Sequence, residues 1–201
     1  MEDVHNFYIT KTDNERIEII LSNVIKMLSN RIYITKSGKK KELVKRNATF
    51  EENNDNVYIL TANNKKKYAL KITFQKITKI GKQSMLSNFL KDYVVYNKIL
   101  IAEDFNNKII DYAKKNNCQT FKVASMMRDI LSYHEQPQFE ILSKQEIALL
   151  QQEYSIDPYT IQKLKDYDPI TKYFDLSKGD VVRIIRPSQT SGYAIGYRIV
   201  E

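Results

Sequence analysis

The C-terminal stretch Asp168–Val200 constrains the fold more than any other part of the sequence, because several local signals follow one another there. Asp168 and Pro169 are typical of a helix start, since aspartate accepts hydrogen bonds from free amide groups and proline fits the first helical position. Ser177–Asp180 has the composition of a tight turn. The stretch therefore predicts a short capped helix that leads through a turn into further structure.

A β-hairpin is predicted to follow this turn. Val181–Arg186 and Tyr193–Val200 favour strands, and the polar residues Pro187–Gly192 favour a loop between them. Pro187 is predicted to end the first strand, because proline cannot donate a ladder hydrogen bond. Asp168, Pro169 and Gly179 are expected to set the backbone conformation of this region.

Charge is distributed unevenly along the 201 residues. Residues 1–133 hold 24 Lys and Arg against 14 Asp and Glu, a net charge of +10, whereas residues 134–201 hold 8 against 10, a net charge of −2. A basic surface suits phosphate, and a near-neutral one suits protein contact. We therefore predict two domains, 1–133 and 134–201, with different partners.

The first domain is predicted to be mixed α/β, because helical and strand patterns alternate along it. A capping box, Thr12-x-x-Glu15, opens its first helix. Helices are predicted for Thr12–Asn30, Ser84–Leu90 and Glu103–Lys115, and strands for Arg31–Thr35, Val57–Thr61, Tyr68–Phe74, Tyr93–Ile101 and Gln119–Val123. Lys36–Asn56 has almost nothing to bury and is predicted to be a disordered loop.

The second domain is predicted to be small and α+β. Ser143-x-x-Glu146 is a second capping box, and Asp157-Pro158 is a second Asp-Pro helix start. The latter is predicted to open a short helix that carries Ile161 and Leu164.

The sequence contains no pattern that predicts catalysis, a cofactor or a metal site. It has no phosphate-binding glycine loop and no nucleophile elbow, and its single cysteine and two histidines lack zinc-site spacing. No apolar run is long enough to span a bilayer, and no signal peptide is predicted.

Two lysine clusters in loops are candidates for contact with a phosphate backbone, although solvated loop positions explain them as well. The candidate DNA-proximal residues are Lys39, Lys40, Lys41, Lys65, Lys66 and Lys67.

A longer pattern in the C-terminal third resembles a known family. Its residues are Asp168-Pro169, Tyr173, Leu176-x-x-Gly179-x-Val181-Val182-x-Ile184-Ile185-Arg186-Pro187-Ser188-x-Thr190-x-Gly192 and Tyr197-Arg198, with His134-Glu135-x-Pro137 and Leu142-Ser143 upstream. The pattern resembles the shared jaw-and-assembly subunit, subunit five, of eukaryotic nuclear RNA polymerases, whose archaeal counterpart lacks the jaw. Met27–Thr35 is similar to the first helix and first strand of the eukaryotic jaw. At Asp175 the chain departs from the family, which has glycine there.

The resemblance implies a non-catalytic polymerase subunit without a cofactor. Its N-terminal jaw, restriction-endonuclease-like in the family, would face downstream DNA, and its C-terminal assembly domain would dock on the largest subunit. Arg186, Tyr197 and Arg198 are the residues expected at that docking surface. The length indicates the eukaryotic form or a viral version, and the excess of Lys, Asn, Ile and Tyr fits a large DNA virus. The expected location is the nucleus, or a virion or viral factory.

A nuclease and a free-standing nucleic-acid-binding factor are the two alternative functions. A nuclease would need clustered carboxylates, with lysine two residues beyond one of them, and no Asp or Glu in the sequence has lysine at that position. A free-standing nucleic-acid-binding factor would need a basic stripe interleaved with exposed aromatic residues, whereas the tyrosines here alternate within predicted strands.

Overall fold

The structure is a computed structural model, and it describes residues 11–34, 40–53, 56–79, 81, 84–133, 135–154 and 160–201. The helices are α1 Asp13–Asn30, α2 Met85–Asp92, α3 Asn107–Lys115, α4 Val123–Met126, α5 Lys144–Tyr154 and α6 Pro169–Phe174. The strands are β1 Ile32–Ile34, β2 Lys40–Glu42, β3 Glu51–Asn53, β4 Val57–Thr61, β5 Lys67–Ile72, β6 Lys76–Ile77, β7 Asn97–Ala102, β8 Asp104–Phe105, β9 Cys118–Lys122, β10 Gln138–Ile141, β11 Gln162–Leu164, β12 Val181–Ser188 and β13 Gly192–Val200.

The described residues form two compact units. Unit 1 contains the chain up to Lys26 together with Asn47–Arg128, and unit 2 contains Met27–Arg46 together with Asp129–Glu201. The chain is therefore mixed α/β with a two-unit architecture. The division differs from the predicted boundary at residue 134, since Met27–Arg46 belongs with the C-terminal unit.

Unit 1 is built on a five-stranded mixed sheet in the order β3-β4-β5-β7-β9. β3, β4 and β5 pair antiparallel, whereas β5, β7 and β9 pair parallel. Helices α2 and α3 make the two crossovers between the parallel strands, as parallel pairing requires. Consecutive residues Ile99, Leu100 and Ile101 of the interior strand β7 are all buried, because both faces of the sheet are covered.

Unit 2 is built on a four-stranded sheet in the order β10-β12-β13-β11. β12 and β13 form a long antiparallel hairpin, β10 pairs antiparallel with β12, and β11 pairs parallel with β13. One hydrophobic cluster joins Leu142 and Leu150 to Val181. Another joins Leu164 to Val182 and Val200. Neighbouring residues of one strand thus enter different clusters, as the period of two in a strand requires.

Arg31 is the buried side chain that attaches Met27–Arg46 to the rest of unit 2. Its guanidinium donates to the backbone oxygen of Tyr173 at 2.7 Å and to that of Lys172 at 3.0 Å, and it lies against the sulfur of Met27. These two oxygens lie in the last turn of α6, where the helix dipole favours a cation. The Lys172 oxygen also accepts the Asp175 amide at 3.3 Å, so Arg31 adds a charged donor there, and it supplies a donor for the Tyr173 oxygen.

Helix α6 begins and ends as its sequence dictates. The Asp168 side chain accepts the amide of Ile170 at 2.8 Å, and Pro169 takes the first helical position. At the other end, the amide of Leu176 donates to the Thr171 oxygen, and Asp175 adopts a left-handed conformation with φ 54°. This arrangement is a Schellman motif, in which glycine is the usual left-handed residue.

Several local predictions are confirmed. The Thr12 and Ser143 capping boxes form, with Glu15 and Glu146 accepting the respective Thr12 and Ser143 amides at 2.7 Å. The Val57–Thr61 and Tyr68–Phe74 hairpin also forms, as β4 and β5.

Four predictions differ from the structure. The helix predicted from Glu103 begins at Asn107, because residues 104–105 form β8. The loop predicted over residues 36–56 contains β2 and β3. The helix expected to carry Leu164 is wrong at that residue, which lies in β11; Asp157 and Pro158 are outside the described residues. Pro187 does not end β12. Strand β10 pairs with β12 only as far as Ile185, so β12 has no neighbour on that side at Pro187, and proline is tolerated in such an edge position.

The substitution Asp175→Gly is expected to raise the free energy of unfolding by about 0.5 kcal/mol, because glycine adopts the left-handed conformation without a Cβ penalty. Urea denaturation followed by circular dichroism measures the change. Asp175→Ala is the matched control, since it keeps the Cβ and removes the polar group that favours this conformation. A lower stability for Asp175→Gly than for Asp175→Ala would contradict the assignment.

Replacing Arg31 by methionine is expected to lower the free energy of unfolding by roughly 2–4 kcal/mol, because the carbonyl groups of α6 lose a buried charged donor. The same denaturation experiment measures it. Arg46 is exposed and belongs to the same segment, so Arg46→Met is the control and should change stability by less than about 0.5 kcal/mol. Equal effects of the two substitutions would mean that Arg31 does not hold the segment in place.

Candidate functional site

The distal half of the β12–β13 hairpin exposes apolar side chains on one face. Ile185 pairs with Ile195, and Pro187 pairs with Tyr193, so the two pairs are successive same-face rows of the ladder. Tyr193 is 70% exposed and Ile195 is 59% exposed. We call these four residues the hairpin surface.

The hairpin surface is exposed because the sheet narrows towards the hairpin turn. Strand β10 pairs with β12 only from Val182 to Ile185, and β11 pairs with β13 only from Arg198 to Val200, so the hairpin continues beyond both as a two-stranded ribbon. Closer to the core, Arg183 on β12 donates to the carboxylate of Glu140 on β10, and this contact raises the pKa of the Arg183 guanidinium. The polar row at Arg183 therefore separates the packed part of this face from its exposed part.

The three residues predicted for assembly occupy different environments. Arg186 is exposed and pairs with Ala194, on the opposite face of the ribbon from Tyr193. Tyr197 is half-buried against the hydrophobic cluster that contains Leu150. Arg198 is half-buried and pairs with Val182. Arg186 thus lies at the same level of the ribbon as the hairpin surface but on its other face, and the other two lie nearer the core.

The three residues predicted to be conformational lie at a helix start and in a turn. Asp168 and Pro169 begin α6 as described above. Gly179 has φ 94°, a backbone conformation that residues with a Cβ rarely adopt. Its amide donates to the Val200 oxygen at 2.9 Å. A Cβ at Gly179 would meet nothing within 4 Å, so the requirement for glycine is one of backbone conformation alone.

The first lysine cluster is not uniform. Lys39 is outside the described residues. Lys40 donates to the Ile141 oxygen at 2.8 Å and lies 2.5 Å from a Glu146 carboxylate oxygen. Burial raises the pKa of Glu146, but Lys40 and the Ser143 amide outweigh it and lower the pKa to about 2. Lys40 is thus engaged within unit 2, whereas Lys41 on β2 is exposed.

The second lysine cluster lines an open groove in unit 1. Lys65, Lys66 and Lys67 form one wall, at the turn between β4 and β5. The other wall is the turn that leads from α2 into β7, with Val95, Tyr96 and Asn97. We call this space, of about 680 Å³, the lysine groove.

The described residues show no cluster typical of metal binding. No three His, Cys, Asp or Glu side chains among them lie grouped so as to hold a metal ion. Burial raises the pKa of the Cys118 thiol to about 12, so it stays protonated at neutral pH. None of the helices in the described ranges combines the length and apolar character that a bilayer-spanning segment requires.

The sequence patterns did not predict the exposed apolar residues at both places, namely Tyr193 and Ile195 on the hairpin and Val94 and Val95 beside the groove. Tyrosines alternate within the predicted strands, but alternation alone does not show where a neighbouring strand stops. A usable signal existed for the hairpin: its strands are longer than β10, so their distal residues could not all be covered.

The chain is similar in sequence to subunits of DNA-directed RNA polymerases. Residues 128–200 match the family described as RNA polymerase Rpb5, C-terminal domain. The chain is 45% identical over 195 residues to DNA-directed RNA polymerase subunit 5 of Acanthamoeba polyphaga mimivirus, which covers 96% of this chain and 95% of that protein. It is 30% identical over 130 residues to DNA-directed RNA polymerases I, II, and III subunit RPABC1 of Caenorhabditis elegans, covering 65% of this chain and 61% of that protein.

An archaeal relative matches over a shorter length. DNA-directed RNA polymerase subunit Rpo5 of Methanosarcina acetivorans is 39% identical over 71 residues, which are 35% of this chain and 91% of that protein. The similarity to the viral subunit extends over nearly the whole of both chains, and the C-terminal match is shared more widely. Together these two matches identify the family. The chain belongs to the Rpb5 family of DNA-directed RNA polymerase subunits.

Proposed function

We propose that this chain acts as a non-catalytic subunit of a multisubunit DNA-directed RNA polymerase. The observation that carries the proposal is its 45% identity to a viral polymerase subunit along almost the whole of both chains. Its partners are then the other subunits of that polymerase. The subunit works wherever its polymerase transcribes: the nucleus in a cell, or the virion or viral factory in a virus.

Unit 2 docks on the largest polymerase subunit, and the hairpin surface is its central contact. Tyr193 and Ile195 are the kind of large apolar side chains that anchor protein interfaces when a partner covers them. Arg186 adds an exposed charged donor on the other face of the same ribbon. Tyr197 and Arg198 contribute at the inner margin of the contact, where they are half-buried.

Residues 1–133, which include unit 1 and the segment Met27–Arg46, lie near downstream DNA as a jaw. Residues 1–133 carry a net charge of +10, which favours sequence-independent attraction to the phosphate backbone. Lys41, Lys65, Lys66 and Lys67 are exposed and lie in or beside turns, where long cations reach outwards. Lys39 belongs to the same proposed set, whereas Lys40 is engaged by Glu146 and contributes less.

The jaw is further proposed to be restriction-endonuclease-like in fold, with residues 1–133 as jaw and 134–201 as assembly domain. The mixed five-stranded sheet, in which α2 and α3 connect the parallel strands, is consistent with that assignment. Met27–Arg46 packs with unit 2 and would belong structurally to the assembly half.

Replacing Tyr193 by serine in a tagged full-length chain is expected to reduce recovery of the large polymerase subunits at least tenfold, because the interface loses an apolar anchor worth roughly 1.5–3 kcal/mol. Affinity purification from cells that make the whole polymerase, followed by quantitative mass spectrometry, measures the loss.

Tyr167 provides the matched control for this experiment. It is also a tyrosine of unit 2 and is also 70% exposed, but it lies outside the hairpin. Tyr167→Ser should leave recovery unchanged. If both variants behaved alike, the hairpin surface would not be the contact. Recovery of the unaltered chain without any large polymerase subunit would favour a free-standing factor instead.

Replacing Lys41, Lys65, Lys66 and Lys67 by glutamine is expected to weaken the grip of the assembled polymerase on DNA without releasing the subunit. The slope of log binding constant against log salt should fall by about 0.9 for each phosphate that the variant no longer neutralises. Filter binding of the purified polymerase over a salt series measures it.

Lys40→Gln is the contrasting variant. Because Lys40 contacts Glu146 and the Ile141 oxygen, its loss should lower the stability of unit 2 and leave the salt slope unchanged. If the fourfold variant lost assembly while DNA binding stayed intact, residues 1–133 would be assigned to assembly instead of to DNA contact.

A further inference from the structure

We propose that the lysine groove is a docking site for a short acidic segment of a partner protein, one that carries apolar side chains among its carboxylates. The proposal rests on the combination of three lysines with the exposed Val95 at one concave site, beside which Val94 is also exposed. It goes beyond the proposed contact with DNA, and it shares Lys65, Lys66 and Lys67 with that contact.

The walls of the groove are held in place before any ligand binds. In the β4–β5 turn, the Lys65 amide donates to the Ala62 oxygen at 2.9 Å, and the Lys66 amide donates to the Asn64 side chain at 3.1 Å. In the opposite turn, the Tyr96 amide donates to the Tyr93 oxygen at 3.1 Å. A preformed site loses less conformational freedom on binding, which favours a short ligand.

The two turns are adjacent because the strands that they precede are neighbours. β5 and β7 pair parallel, with Tyr68 opposite Asn97, so the amino ends of both strands lie at the same edge of the sheet. Lys67 therefore lies beside Tyr96, with its ammonium 5.8 Å from the ring centroid. The contact holds a cation over an aromatic surface inside the groove.

The charge of the groove selects an anionic ligand. Three exposed lysines on one wall attract carboxylates or phosphates, and exposed pairs of this kind are each worth a few tenths to about 1 kcal/mol. Charge therefore provides attraction, but it does not distinguish an acidic peptide from nucleic acid.

The valines make that distinction. Val95 is 94% exposed and Val94 is 69% exposed, and Val95 lines the groove itself. Sequence-independent contact with a duplex is made to phosphates, for which an apolar pair offers nothing. A volume of about 680 Å³ accommodates a few side chains, within the usual range of ligand pockets. An acidic segment with a leucine or a phenylalanine uses both the lysines and the valines.

The shared lysines lead to a regulatory consequence, which rests on the proposed contact with DNA. A segment seated in the groove would cover Lys65, Lys66 and Lys67 and would compete with DNA for them. The docking site itself does not depend on this competition.

Fluorescence anisotropy with the full-length chain tests the proposal. The probe is a short fluorescein-labelled peptide that alternates aspartate with leucine, and the comparison probe alternates aspartate with serine at the same length and charge. The leucine peptide is expected to bind more tightly. Val95→Ser should weaken it about tenfold, as expected for uncovering one valine side chain, and should leave the serine peptide unchanged.

Matched variants separate charge from apolar contact. Lys65, Lys66 and Lys67 replaced together by glutamine should weaken the binding of both peptides about tenfold at low salt. Lys144, Lys172 and Lys178 are exposed lysines of unit 2, and the same replacement there should have no effect. Leu149→Ser, at an exposed apolar position of unit 2, is the control for Val95→Ser.

Three outcomes decide the matter. Equal binding of the two peptides, or leucine-peptide binding that Val95→Ser does not change, would overturn the docking site. Binding of labelled duplex DNA that Val95→Ser weakens, with no binding of either peptide, would assign the groove to nucleic acid. Peptide binding as expected without displacement of duplex DNA would leave the docking site standing and would remove the three lysines from the proposed DNA contact.

Discussion

The buried guanidinium of Arg31 is the interaction on which the organisation of unit 2 depends. A charge in the interior is costly unless its donors find partners, and the carbonyl groups of Lys172 and Tyr173 at the end of α6 provide two. The pairing joins residues about 140 positions apart in the chain. It explains why Met27–Arg46 belongs with the C-terminal unit, although sequence order and charge placed it with the basic half.

The two strands of the β12–β13 hairpin carry both buried and exposed apolar side chains. Near Val181 and Val200, the hairpin is packed on both faces and closes the hydrophobic clusters. Beyond Ile185, where β10 has stopped, the same alternation continues with nothing to cover it. Tyr193 and Ile195 are therefore exposed because β10 and β11 are shorter than the two strands of the hairpin. The distal part of the hairpin holds both side chains on one face.

Lysines of similar sequence context take on different roles according to their neighbours. Lys40 is fixed by a carboxylate and a carbonyl oxygen, and the pair lowers the pKa of Glu146. Lys67 lies over an aromatic ring beside an exposed valine pair. A basic net charge therefore describes the attraction of the chain for anions in general, whereas the contacts of each cation decide which anion it can hold.

The sequence by itself determined the features that depend on neighbouring residues: the two capping boxes, the Asp168-Pro169 helix start, the β4–β5 and β12–β13 hairpins, and the family pattern in the C-terminal third. It also located both lysine clusters and Arg186. Only the tertiary structure decided that Leu164 lies in a strand, that Arg31 is buried against α6, and that Tyr193 and Val95 are exposed. The physical reason is that capping and turn formation are local hydrogen-bond choices, whereas burial and strand pairing depend on residues that are distant in the chain and meet only in the fold.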